Sequence, residues 1–235
     1  MSNTKLRRRA MLGGGDPNDV VDFGLSVKWL KYNLAGDKLT NNESDYGYYY
    51  QWAGTIGYTD GDTLPNPPYY VSYNKYSKYV TSSSYGTVDN KTILDPEDDA
   101  VTTLLGSEYR IPTVDEVQEL YQHCGGALSG SLSGTTSVSS KGIYFVASGT
   151  TVDGVKYKNP GCLFVGQDIA KRIFLPAGCR FEYSGDSVMG EYWTNSVTYS
   201  IYGKMFGFNI KSNSFTTNGS NWRYVGYSVR GVKIT

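Results

Sequence analysis

Cysteine and histidine are scarce here, three and one among 235 residues. Three thiols, Cys124, Cys162 and Cys179, are too few for a disulfide framework in a domain of this size, and they read as buried thiols. Pairing Cys162 with Cys179 as a soft-metal site leaves no histidine nearby in sequence and too few ligands. The lone His123 falls near the end of an amphipathic segment, where it reads as a structural residue. No nucleophile elbow, Walker loop, GxGxxG after a strand, HExxH or paired CxxC occurs. The expectation is therefore no catalytic residue, no metal, no cofactor and no enzymatic turnover. No apolar run approaches the roughly 18 residues of a membrane span. The basic cluster Arg7, Arg8, Arg9 is followed by no apolar stretch of the kind a secretory signal carries. We expect a chain made in the cytoplasm, without membrane insertion.

Charge is low at 19% and sums to zero, but both ends lack acids. Residues 1–15 carry Lys5, Arg7, Arg8 and Arg9, and residues 192–235 carry Lys204, Lys211, Arg223, Arg230 and Lys233. Such asymmetry steers anionic partners, yet five cations over that C-terminal stretch are sparse for nucleic acid, which is not expected as a partner. The 39% hydrophobic content suffices for one filled core.

What the sequence has in abundance is tyrosine, 22 against 8 Phe and 4 Trp, set among Gly, Ser and Asn. Tyrosine gives stiff amphipathic contact area while Ser, Gly and Asn give adaptable hydrogen bonds, a mixture suited to binding surfaces as well as to strands. Two helices are expected. In the first, 95–105, Asp95 is the N-cap, Pro96 the first helical residue and Gly106 the stop. A calcium site from Glu97, Asp98 and Asp99 is set aside, because hard ions need six or more oxygens. The second, 113–124, opens on the capping box Thr113 to Glu116 and closes at Gly125-Gly126. The rest reads as short strands. In 206–211, Phe206, Phe208 and Ile210 alternate with Gly207, Asn209 and Lys211, which predicts one core face and one displayed face. Residues 127–142 read as a loop or edge hairpin, and 54–90 as a tyrosine-rich insertion with the turn-forming run Pro65-Asn66-Pro67-Pro68.

Six motifs then occur in order: Val21-Asp22-Phe23-Gly24-Leu25-Ser26-Val27-Lys28-Trp29; Asp45-Tyr46-Gly47-Tyr48-Tyr49-Tyr50-Gln51-Trp52; Tyr109-Arg110-Ile111-Pro112-Thr113; Phe174-Leu175-Pro176-Ala177-Gly178; Tyr192-Trp193-Thr194; and Tyr227-Ser228-Val229-Arg230-Gly231-Val232. The set resembles the Fibrobacter succinogenes major paralogous domain family, whose members are similar to the C-type lectin fold and relate distantly to formylglycine-generating enzymes. The resemblance spans about residues 20–235. It departs from the family at Leu30-Lys31-Tyr32-Asn33, where many relatives have Ala-Thr-Cys-Asn. It departs again at Trp52-Ala53-Gly54, where many have Trp-Gly-Glu. The reactive cysteine constellation of the catalytic branch maps onto nothing in this chain.

The resemblance implies an α+β, C-type-lectin-like domain over 19–235 with mostly antiparallel strands, preceded by a basic arm, 1–18. Many members from gut Bacteroidales and their phages are variable proteins of diversity-generating retroelements, diversified in the C-terminal segment. On that pattern Tyr199, Tyr202, Lys204, Asn209, Lys211, Asn221, Trp222 and Tyr227 form an exposed, contiguous ligand-binding patch above buried Phe206, Phe208 and Ile210. The implied function is receptor recognition from a phage particle, tail fibre or cell surface. Its partner is a protein or glycan on a bacterial surface, with the arm engaging other virion subunits. A virion decoration protein and a formylglycine-generating-type enzyme are the alternatives.

Overall fold

The computed structural model describes residues 15–180 and 188–235, with backbone alone at 179–180. Residues 1–14 of the expected arm and the side chain of Cys179 therefore lie outside the described residues. The first long strand, Val27–Ala35, pairs antiparallel with the last, Arg230–Ile234. Val27 faces Ile234, Trp29 faces Val232 and Asn33 faces Arg230. The short strand Tyr109–Arg110 adds to the far side of Arg230–Ile234. The largest sheet is the antiparallel meander Met189–Thr198, Tyr202–Asn209 and Ser214–Trp222, extended by Gly226–Ser228, Tyr49–Tyr50 and Cys179–Arg180. A four-stranded sheet of Leu128–Leu132, Gly142–Val146, Gly161–Val165 and Arg172–Pro176 packs to one side. The class is mixed α+β, mostly strand, and its sheets are largely antiparallel, as expected.

Successive side chains of a strand point to opposite faces, and in the central strands both faces are interior. Trp29 enters one core while its neighbour Leu30 enters another. Tyr192 and Trp193 divide the same way, as do Phe206 and Met205. One core gathers Trp52, Trp193, Tyr227, Leu34 and Met205, and the second gathers Trp29, Tyr192, Phe206, Phe208 and Phe145. The expectation that 206–211 has one core face and one displayed face is thus corrected. The strand stops at Asn209, Gly207 is buried, and Ile210 is only half buried. A Cβ at Gly207 would lie 2.6 Å from the Gly190 carbonyl oxygen, so the backbones approach too closely there for a displayed side chain.

The helix Val114–His123 lies over the second core, with the Thr113–Glu116 capping box formed in both directions. Val117 and Leu120 are buried beneath it, and Tyr121 stacks on Phe215 at 4.9 Å. His123 sits edge-on to Phe23. The other helix is shorter than predicted. Pro96–Asp98 forms a single 3-10 turn and the α-helix runs only over Ala100–Leu105. Its cap is Asp99, whose carboxylate accepts from Val101 N–H and Thr102 N–H, whereas Asp95 makes no capping bond. The Asp95 carboxylate is engaged elsewhere, pairing with the Lys78 and Lys91 ammoniums, and Lys78 also holds Asp98 at 2.7 Å. Residues 127–142 hold two edge strands, Leu128–Leu132 and Thr135–Thr136. Each runs parallel to a later strand, so they do not pair as a hairpin.

The six sequence motifs interlock. Trp52 Nε1–H donates to the Thr194 carbonyl at 3.0 Å, and Trp193 Nε1–H donates to that of Tyr50 at 2.6 Å. The Tyr192 hydroxyl donates to the Pro176 carbonyl at 2.8 Å, and the Ser228 hydroxyl to that of Gly178 at 3.3 Å. Val232 pairs with both Trp29 and Arg110. Arg230, wholly buried, donates to Asn33 Oδ1, to the Leu30 and Lys31 carbonyls and to Phe174 O, joining the first strand to the fourth motif.

Candidate functional site

The eight residues predicted to form a ligand-binding patch divide into three groups. Tyr199, 72% exposed, and Lys211 stand in solvent. Tyr202, Lys204 and Trp222 are half buried on adjacent strands, with Tyr202 directly opposite Trp222 and their rings 4.6 Å apart. Lys204 Nζ donates to Asn218. Asn209 and Asn221 are turned to structural work. The Asn209 side-chain oxygen accepts from the Lys211 and Ser212 N–H groups to close the turn. That of Asn221 accepts from the Trp222 N–H, and its amide donates to the Tyr227 hydroxyl. Tyr227 is fully buried, 4.4 Å from Trp193 ring to ring, which removes it from any surface. Its strand, Gly226–Ser228, is interior to the sheet, whereas the family resemblance implied an exposed position for Tyr227.

Exposed aromatics stand instead where the tyrosine-rich insertion meets the C-terminal segment. Tyr199 and Ser200 form the tip between two meander strands with both residues in the left-handed region, φ 52 and 65. The tip is pinned, because the buried Ser200 hydroxyl accepts from the Thr81 N–H at 2.8 Å. The insertion supplies a second tip, between the strands Tyr70–Ser72 and Lys75–Tyr76, with Tyr73 83% exposed and Asn74 left-handed at φ 56. Tyr224 stacks on Trp222 at 5.8 Å and completes the surface. Arg223 fixes these pieces to one another from below. It is wholly buried against the rings of Tyr76, Trp52 and Tyr79. It donates to the carbonyls of Lys78 and Ser200, each at 3.1 Å. Burial lowers its guanidinium to about 10, so it remains a cation at neutral pH.

Between insertion and C-terminal loop lies a pocket of about 590 Å³, bordered by Tyr70, Tyr73, Tyr76, Tyr224, Asn66 and Asn74. The insertion was recognised as aromatic in the sequence but assigned no binding residue. Its signal was the recurrence of tyrosine at 70, 73, 76 and 79 beside the Pro65–Pro68 turn. A shallower depression of about 250 Å³ lies over Gly207, between Glu191, Asn209 and Thr216.

Other candidate chemistry is internally engaged. The carboxylates of Asp95, Glu97 and Asp98 come close enough to share one cation, and the Lys78 ammonium lies among them. Burial would lower the Lys78 pKa, but hydrogen bonds to Asp95 and Asp98 raise it well above its usual value. The third residue of the calcium reading, Asp99, caps the helix instead. Cys124 and Cys162 are free and buried. Burial pushes the Cys124 thiol up to about 12 and Cys162 well above its usual value, so neither supplies a thiolate at neutral pH. The cations of 192–235 form no basic patch among the described residues: Arg223 and Arg230 are buried, and Lys233 lies 3.9 Å from Glu108.

Compared with protein-family models, with curated proteins and with solved structures, the chain shows no match.

Proposed function

We propose that the chain is a ligand-binding module of the C-type-lectin-like, Fibrobacter succinogenes major paralogous domain type. It presents the aromatic area described above to a macromolecule on a bacterial surface, from a phage particle or another cell surface. The observation that carries the binding role is the aromatic area that Tyr73 and Tyr224 present around one pocket, continued by Trp222 stacked on Tyr224, with the exposed Tyr199 on the tip that Ser200 ties to Arg223 beneath them. Tyrosine at two strained, anchored tips costs little further ordering on binding. Two features support the family reading. Its six motifs make up the hydrogen-bonded framework. Ala53, standing where relatives often have glycine, adopts φ 64, a conformation glycine takes without strain.

Binding of the labelled chain to a panel of intact gut bacterial cells tests the role. Wild type should bind at least one strain, and Tyr199→Ala with Trp222→Ala should weaken that binding at least ~30-fold. Retention of full binding by this folded double variant would remove the surface from the function. For the diversified reading, the flanking DNA should carry a reverse transcriptase and a near-copy of codons 193–230 with adenine mismatches. Without both, the surface is a fixed one.

A further inference from the structure

We infer that the pocket between the insertion and the C-terminal loop is a binding site for an uncharged saccharide; the inference rests on the binding role proposed above and names its ligand class. At about 590 Å³ the pocket falls within the range of small-ligand sites. Its walls carry four tyrosine rings, Tyr70, Tyr73, Tyr76 and Tyr224, and no acidic or basic residue borders it. No charged side chain on its walls would pair with a charged ligand.

The polar groups decide between the neutral ligands. The side-chain amides of Asn66 and Asn74 make no hydrogen bond among the described residues, although both border the pocket. An amide donates and accepts at once, which matches vicinal hydroxyls that also do both. The apolar C–H faces of a pyranose match tyrosine rings. A proline-rich peptide presents apolar rings too, but its carbonyls only accept, so half the capacity of each amide would go unused. The site is also preorganised. The Tyr70 ring packs edge-on to Tyr76 at 6.3 Å, Asn74 is fixed in a left-handed turn, and the Arg223 cation holds the Tyr76 ring at 4.2 Å from beneath. Little ordering entropy remains to be lost on binding.

The test presents the intact chain with immobilised oligosaccharides: uncharged glucans, galactans, mannans and N-acetylglucosamine oligomers, with sialylated and sulfated counterparts and a proline-rich peptide. Wild type should retain at least one uncharged series and no charged one. Tyr73→Ala and Tyr224→Ala should lower that binding at least ~10-fold, as loss of an aromatic anchor does. Asn74→Gly keeps the left-handed backbone and removes the amide, so it should weaken saccharide binding with an unchanged melting temperature. Ile169→Ala, exposed and outside both the pocket and the aromatic surface, should leave it unchanged. Failure of the folded wild type to retain any uncharged glycan, retention of the peptide alone, or full saccharide binding by Tyr73→Ala would each overturn the inference. Cell binding that persists and still depends on Tyr199 and Trp222 would show that only the saccharide assignment had failed, while loss of both would sink the binding role itself.

Discussion

Ala53 shows how one dihedral angle constrains a residue. At φ 64 a side chain costs about 1 kcal/mol or more over glycine, yet the Ala53 methyl is buried in the core with Trp52 and Trp193 and gains about 0.8 kcal/mol there. The two nearly cancel. Ala53→Gly should therefore shift unfolding free energy in a urea titration by no more than about 0.5 kcal/mol. Ala53→Val, β-branched and all but excluded from that region, should cost about 2 kcal/mol or more. The two buried arginines make a related point. Arg230 meets neutral acceptors with all three guanidinium nitrogens, whereas Arg223 Nε has no partner. Arg230 stood out in the sequence as part of the sixth motif, but nothing separated Arg223 from the lysines nearby, because burial of a cation is decided by which carbonyls the fold brings round it.

Among the elements, the strand Tyr202–Asn209 is the most exacting, being interior on both faces for much of its length. Phe208→Ala should open a cavity costing about 3–5 kcal/mol, as Phe truncations in cores do. Tyr227→Ala should cost a similar amount, where the exposed position predicted from sequence would have cost almost nothing. Lys211→Ala, in the exposed turn, should stay within about 0.5 kcal/mol. Thermal and denaturant melts on the three variants separate these outcomes. Local elements were legible wherever one rule dominated. The Thr113–Glu116 box set one helix start correctly, and alternation at Phe206 and Phe208 located a strand. Legibility failed where distant partners intervene. Asp95 is an excellent cap by local rules, but its carboxylate pairs with Lys78 from the tyrosine-rich insertion and with the nearby Lys91 instead. Tyr227 looks displayed until three strands close around its own. In the candidate site, the tyrosines of the insertion were visible as composition, but their convergence with Tyr224 depends on a pairing of segments some 150 residues apart.

For the whole molecule, acid stability rests on carboxylates held by cations. Burial alone would raise Glu116, but the Arg110 guanidinium, gripping both its oxygens, and the Thr113 N–H hold it below the usual carboxylate range. Lys78 and then Lys91 lower Asp95, and Arg172 lowers Asp153. A depressed carboxylate contributes its stability above the unfolded value and loses it as pH falls through the folded one. The contribution of these three carboxylates should thus hold steady down to about pH 4.5 and decline below it, while Asp99 and Glu43, raised by burial, contribute in the opposite sense. Glu116→Gln should be less stable at neutral pH by about 1–3 kcal/mol, with a shallower decline in acid. Parallel slopes for wild type and variant in a pH series of urea titrations would exclude this carboxylate as a contributor.

The pairing of Val27–Ala35 with Arg230–Ile234 sets a schedule for biosynthesis. Asn33 waits for Arg230, 197 residues later, and at about 5–20 residues per second that interval is roughly 10–40 s. Throughout it, Val20–Val21 and Lys38–Leu39 can pair with Val27–Ala35, but the edge that Arg230–Ile234 will cover stays open and the cores around Trp29 and Leu30 stay unfilled. The nascent polypeptide thus carries one open strand edge beside unfilled apolar side chains for most of its translation, a template for pairing with other chains until residues 230–234 have emerged.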